Sequence, residues 1–289
     1  MSSIVTRSDP RSPAAPERRN PRWLVLLVVV TGVAVLLTYL INHYLQGDQL
    51  TGDGHAGLRI LSWNIGKVYH ARWDSRASDA DLDHVAQVIR QTNPHVVALQ
   101  ELTGPEQLGH LVSMLGRKWR GVAPEDAYDR RAALLVRLPV RFVPLATSSG
   151  RIAQGAVVTP PAGGSFALAS VHLDAFDPKR RLAQAEEILA GVQRLAVKDL
   201  AIVGDFNFDA SLVSQDSDDD RLYRLLTRDM VDAGRDAGVT TVISRRLDYV
   251  FYRSARVDSA RAQVLRDRRI NIMDHDPLVV ELALDPPRR

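Results

Sequence analysis

The stretch AIVGDFNFDA, residues 201–210, is an apolar run that ends in Asp205, Asn207 and Asp209. In an extended chain these three share one side, and Phe206 and Phe208 take the other. Carboxylates and an amide on the tip of a buried strand suit the holding of a cation, a water or an anionic ester. The same kind of side chain closes other apolar runs. LSWNIG ends on Asn64, VALQE on Glu101, and ASVHLD on His172 and Asp174. RLDYVF carries Asp248, and MDHDP brings Asp274 and His275 ahead of the last apolar run. Taken singly, each has a plainer reading, as a solvated strand end or a histidine satisfied within the fold. Asp209 and Asp276 are read that way, as solvent-exposed ends. Six polar strand ends in one chain, however, point to one site.

The elements that must carry these residues begin at Leu58. LRILSWNIG, HVVALQE, DLAIVGDFNFD, RLDYVFY and DPLVVELAL read as strands. DLDHVAQVIRQT has apolar residues at helical spacing and stops at Asn93-Pro94. GPEQLGHLVSML and KRRLAQAEEILAGVQRLA are further helices. DDDRLYRLLTRDMVDAG reads as a helix whose acidic start suits the helix dipole. RAALLVRLPVRFVPL is a strand pair broken at Pro139, and QGAVVTPPAGGSFALASVHLDA a hairpin. The expected architecture over residues 58–289 is a mixed α/β domain with more strands than one helix layer could cover.

Residues 1–22 are rich in Pro, Ser and Arg and are expected to be disordered. Residues 23–41, WLVLLVVVTGVAVLLTYLI, carry no charge. That length is enough to cross a bilayer as a helix. A signal peptide has a shorter apolar part and a small-residue cleavage site, so an uncleaved transmembrane anchor is expected. Residues 42–57 form a linker. Arg7, Arg11, Arg18, Arg19 and Arg22 precede the apolar run, and Asp48 and Asp53 follow it. The positive-inside rule then keeps the N-terminus in the cytoplasm and sends the domain across a cell (inner) membrane, to the periplasm or its equivalent.

The chain has no cysteine, which excludes disulfides, Cys-ligated zinc and iron–sulfur clusters. Its formal charge of +3 falls to +2 without residues 1–56, which hold five arginines and four acidic residues. Bulk charge does not mark a nucleic-acid binder.

The ordered series LRILSWNIG, VVALQE, SVHLD, VGDFN, RLDYVF and MDHDPLVV resembles the endonuclease/exonuclease/phosphatase superfamily over about residues 58–284. That group includes deoxyribonuclease I-like enzymes, abasic-site endonucleases, neutral sphingomyelinases and inositol polyphosphate 5-phosphatases. The resemblance implies a four-layer sandwich, with two mixed β-sheets face to face and helices outside. It also implies metal-dependent cleavage of phosphoesters. The chemistry agrees, because a hard cation neutralises the phosphoryl oxygens that repel a nucleophile. Mg²⁺ (or Mn²⁺) takes oxygen ligands and needs only one or two protein carboxylates. Glu101 is the leading ligand, with Asn64 beside it and Asp274 in a second position. Asp205 matches the family residue that orients or deprotonates the attacking water. Asn207 would donate its amide to the phosphate. His275 would contact a phosphoryl oxygen, with Asp248 fixing its tautomer. His172 would be a second phosphate contact or an acid–base group. Arg181, spaced from Gln184 as R-x-x-Q, is expected to pack and pair beneath the site rather than touch substrate, and Asp174 has no assigned role. Arg266, Arg268 and Arg269 either hold an anionic substrate or lie in a solvated loop.

Near-balanced charge weighs against tight duplex binding, which needs several phosphate contacts. Two substrate readings stay open: phospholipid or sphingolipid head groups next to a membrane, and nucleic acid cleaved by an exported nuclease. An inactive binding module is a third reading, opposed by the filled positions. Nothing calls for an obligate protein partner.

Overall fold

In a computed structural model, the structure describes residues 57–66, 79–102, 104–123, 131–146, 148, 152–267 and 274–287. The expected anchor at 23–41 and the linker lie outside the described residues. Among the described residues, no helix is long and apolar enough to cross a membrane.

Two six-stranded mixed sheets form the body. The first contains β1 (Leu58–Asn64), β2 (Val96–Leu102), β3 (Arg120–Val122), β4 (Arg131–Val136), β11 (Val257–Val264) and β12 (Leu278–Leu284), in the order β11-β12-β1-β2-β4-β3. The second contains β5 (Val140–Ala146), β6 (Ile152–Val158), β7 (Phe166–His172), β8 (Asp199–Asp205), β9 (Val231–Asp232) and β10 (Asp248–Arg253), in the order β5-β6-β7-β8-β10-β9. The sheets bury one apolar core between them, including Leu58, Ile60, Leu134, Phe166, Val203 and Val280. A second core lies behind the second sheet, where helices α3 (Pro178–Gln193) and α4 (Asp218–Thr227) supply Ile188, Val192, Leu222 and Leu226. Helices α1 (Asp79–Thr92) and α2 (Pro105–Leu115) pack together, and α2 packs on β2 and β3 of the first sheet. Two mixed sheets flanked by helices are therefore present, as expected.

Each sheet has one parallel pair at its centre, β1–β2 and β7–β8, and every other pairing is antiparallel. The connections across these pairs hold α1 and α3, because parallel strands need a long crossover. α3 starts where Asp177 accepts from the backbone N–H groups of Lys179 and Arg180, with Pro178 in the first turn. Parallel pairing puts the ends of β1 and β2 together and those of β7 and β8 together, and the hydrogen bond from Asn64 to Asp205 brings both pairs to the same edge of the sandwich. Ligands of open α/β sheets collect at such edges.

Several details differ from the sequence reading. The segment broken at Pro139 is not a strand pair within one sheet, since β4 belongs to the first sheet and β5 to the second. The helix expected through Gly234 stops at Thr227, and Val231–Asp232 pairs with β10. β3 and β11 were not expected; one is three residues long and the other is a polar edge strand (VDSARAQV).

Candidate active site

Register places three of the expected residues side by side. His172 on β7 pairs with Asp205 on β8, and Asp205 pairs with Asp248 on β10. Paired residues point to the same face, here the one between the sheets. Gly204 makes the close approach possible. It has φ of 144°, and a Cβ there would lie 2.0 Å from the carbonyl oxygen of Val171. Only glycine accommodates that position.

The opposite sheet contributes Asn64 and Glu101. Asn64 is paired in register with Gln100, so alternation alone would turn Glu101 to the outer face. A bulge prevents this. The β2–β4 register shifts between Leu99 and Leu102, and Glu101 takes a left-handed φ of 66°. The bulge re-aims its carboxylate into the site. Asn64 then joins the two sheets: its Nδ2 donates to Glu101 Oε1 at 3.3 Å and to Asp205 Oδ2 at 3.0 Å. Its Oδ1 accepts from the Gly66 N–H at 2.9 Å. The amide thus clamps the two carboxylates together.

Asp205 is the centre of the cluster. His172 Nε2 lies 3.6 Å from its Oδ2, and His275 Nε2 lies 3.7 Å from the same oxygen. His172 Nε2 is also 3.9 Å from Glu101 Oε1. On its other side, His275 Nδ1 donates to Asp248 Oδ2 at 2.7 Å, the carboxylate–imidazole pair expected from the sequence. Burial lowers the pKa of His275, but Asp248 and Asp205 outweigh it and push the value up to about 10. Burial raises that of Asp205, a rise the two imidazoles oppose. Asp248 and Asp205 thus favour the cationic form of His275, which lies between these two acids.

Asn207 follows the strand with a left-handed φ of 54°, and its backbone N–H donates to Asp205 Oδ1 at 2.8 Å. Its Nδ2 donates to the carbonyl of Leu173 at 3.0 Å, leaving its second amide hydrogen and Oδ1 at the mouth of the site. Phe206 and Phe208 are buried on the far side with Tyr249 and Phe251, as alternation predicts.

The oxygen donors suit a hard divalent ion. Glu101 is partly exposed beside buried Asp205, and one carboxylate with waters is enough for Mg²⁺. No group of three or more acidic or imidazole side chains among the described residues has the geometry of a fuller cage. Asp274 is exposed, and its charge adds to those that raise the pKa of His275.

Other expectations need correction. Asp209 and Asp276 are buried, not solvent-exposed. Asp209 accepts from Ser211 Oγ at 2.6 Å and the Arg246 N–H at 3.1 Å, which fold the loop after β8. Asp276 takes Arg266 Nη1 at 2.7 Å and the Asp267 N–H at 3.3 Å. Arg266 is therefore occupied by a buried carboxylate, a tie for the loop before β12. Arg268 and Arg269 lie outside the described residues. Arg181 does pack and pair beneath the site: it forks onto Asp219 and reaches the Asp174 carbonyl, and Gln184 accepts from the Asp174 N–H. Asp174 has a structural role, since its Oδ1 accepts from the N–H groups of Phe176 and Asp177.

Sequence reasoning missed the residues that fix the Asp248–His275 pair. Thr240 Oγ1 accepts from the N–H groups of Leu247 and Asp248, and the Thr240 carbonyl accepts from the Asp276 N–H. The Trp63 indole N–H donates to the His275 carbonyl at 3.1 Å. Threonines in a loop and a tryptophan in a strand carry no signal of such a task.

Residues 61–271 match the Endonuclease/Exonuclease/phosphatase family. The chain belongs to that family. Members of the endonuclease/exonuclease/phosphatase family are typically phosphoesterases or nucleases, which makes this chain a hydrolase. An endonuclease/exonuclease/phosphatase from Bacteroides vulgatus superposes with a TM-score of 0.63 at 21% identity, covering 79% of this chain and 99% of that one. Truncated Caenorhabditis elegans TDP2 gives 0.59 at 16% identity, covering 78% and 98%. The human Nocturnin catalytic domain with bound sulfate anion gives 0.59 at 18%, covering 81% and 96%. Such identities speak for the fold alone. A search of the curated proteins found no match.

Proposed function

We propose that this endonuclease/exonuclease/phosphatase member is a Mg²⁺- or Mn²⁺-dependent phosphodiesterase, anchored through residues 23–41 and working outside the cytoplasm. One observation carries the chemistry: a buried carboxylate, Asp205, between two imidazoles and within one amide of Glu101. Glu101 would hold the divalent ion, which supplies charge neutralisation at the phosphoryl oxygens. Asp205 positions the attacking water and takes its proton. His275, kept cationic by Asp248, donates from Nε2 to a phosphoryl oxygen. His172 donates to a second one, and the second amide hydrogen of Asn207 reaches the same group. Oriented donors aimed at developing negative charge are the largest source of such catalysis. Of the two substrate readings, lipid head groups are favoured over nucleic acid. The charge balance beyond residue 56 is +2, and Arg266 is tied to Asp276.

The test offers the full-length protein a panel of sphingomyelin, lysophospholipid, DNA, RNA and bis(p-nitrophenyl) phosphate, with Mg²⁺ or Mn²⁺. Hydrolysis of a diester that chelator abolishes, and that Glu101→Gln loses, is the expected result. Full activity in excess chelator, or in Glu101→Gln, removes the metal role.

A further inference from the structure

Five large apolar side chains are notably exposed among the described residues, and four of them sit on three loops at the catalytic edge. Phe176, 83% exposed, is in the loop after His172. Leu212, 58% exposed, is in the loop after Asp205. Ile243, 69% exposed, and Val242 are in the loop that leads to Asp248. A cleft of about 450 Å³ runs among these loops, lined by Ala175, Asn207, Leu212, Val213, Ile243 and Arg245. One of its lining residues is Asn207, whose N–H donates to Asp205, so the cleft lies beside the reacting centre. Its size is that of a small-ligand site. Exposed apolar rims of this kind mark binding surfaces.

One cationic side chain, Arg245, lines the cleft. The two carboxylates of the cleft are already satisfied: Asp209 by Ser211 and the Arg246 N–H, and Asp219 by the Arg181 fork. The Arg245 guanidinium is exposed, and its charge also acts on Asp209, whose pKa it helps to lower. Apolar walls with an exposed cation, beside the candidate phosphoester site, suit a group that is anionic at the phosphorus and apolar beyond it.

We infer that this cleft is a subsite for an aliphatic ester arm of the phosphodiester, as in an amphiphilic lipid-type substrate. The inference rests on the phosphodiesterase reading and extends it to the substrate. Leu212, Val213 and Ile243 contact the arm, and Arg245 pairs with the phosphate. A nucleoside arm, with its flat polar base, gains less from branched aliphatic walls.

The full-length protein, with Mn²⁺, is assayed on p-nitrophenyl phosphodiesters whose other ester is methyl, propyl, hexyl or 5′-thymidine, all as soluble monomers. Burying a methylene favours binding, and kcat/KM should rise about two- to fourfold for each one added. Leu212→Ser with Ile243→Ser should flatten that slope. Both residues are more than half exposed, so the double change takes nothing from the core. If none of the esters is hydrolysed, the phosphodiesterase reading itself falls. If they are hydrolysed at one rate whatever the chain length, the reading stands and the subsite is wrong. A slope that survives the double change also overturns it, as does preference for thymidine over hexyl.

Discussion

Asp205 has almost no contact with solvent, yet it must be ionised to take a proton. Burial opposes that charge, and the imidazoles of His172 and His275 offset part of the cost. Asp205→Asn removes the buried charge and keeps the shape. The cost is one mismatched contact, because Asn64 Nδ2 and the Asn207 N–H donate to different oxygens. The two effects oppose each other, so the thermal midpoint should change little while kcat falls about 10²–10⁴-fold. A variant that unfolds, while its folded fraction keeps normal kcat, would make Asp205 a structural strand end. His275 offers a separate measurement. With its pKa raised from 6.5 to about 10, its stabilising charge is fully present below pH 6.5 and lost as pH climbs through 10. In a metal-free NMR titration the His275 ring should stay protonated through pH 8. In Asp248→Asn it should lose the proton at least one pH unit earlier than in the wild type. An unchanged titration would remove Asp248 as the cause.

The bulge in β2 decides where Glu101 points, and it does so through a left-handed residue that is not glycine. Such a conformation costs roughly 1–3 kcal/mol in a residue with a Cβ. Glu101→Ala and Glu101→Gly both lose the carboxylate, but only glycine relieves the backbone. The glycine variant should melt about 2–4 °C above the alanine variant, as expected for ~1 kcal/mol in a domain of this size. The reverse order would contradict the left-handed turn. This element also shows what a sequence reveals. VVALQE announced a strand and a carboxylate at its end, because both are matters of residue type and alternation. The bulge depends on how β2 meets β4, a long-range pairing that no local pattern encodes. Asp209 and Asp276 were misread for the same reason. A carboxylate after a strand is ordinarily solvated, and only the fold brings Arg246 and Arg266 against these two. The Asp248–His275 pair was legible from its chemistry, whereas Thr240, which sets its geometry, was not.

The proposed topology, with an anchor at 23–41 and the domain outside the cytoplasm, rests on the arginines before residue 23. Alkaline phosphatase fused after residue 57 should be active in a Gram-negative host, and a cytoplasmic reporter at the same point should be silent. The opposite pair of signals would place the domain in the cytoplasm. Acid should loosen the fold at a site remote from the cluster. His95 has its pKa lowered to about 4, first by burial and then by Arg137 and Arg59. Its neutral Nδ1 accepts from the Arg59 N–H. A depressed histidine pKa favours the neutral ring in the folded state, so stability is complete above pH 6.5 and declines as pH falls toward 4. His95→Gln should flatten part of that decline in denaturant titrations, and an identical pH slope would rule His95 out.

Trp63 is buried in β1 with its indole N–H on the carbonyl of His275 and the His84 ring at its edge, 6.3 Å between centroids. The chain holds four tryptophans, the others being Trp23, Trp73 and Trp119. With those three changed to phenylalanine, the remaining chromophore is wired to the backbone of a residue in the candidate active site. Its emission becomes a built-in optical reporter, able to register ion or phosphate arrival at equilibrium without any turnover.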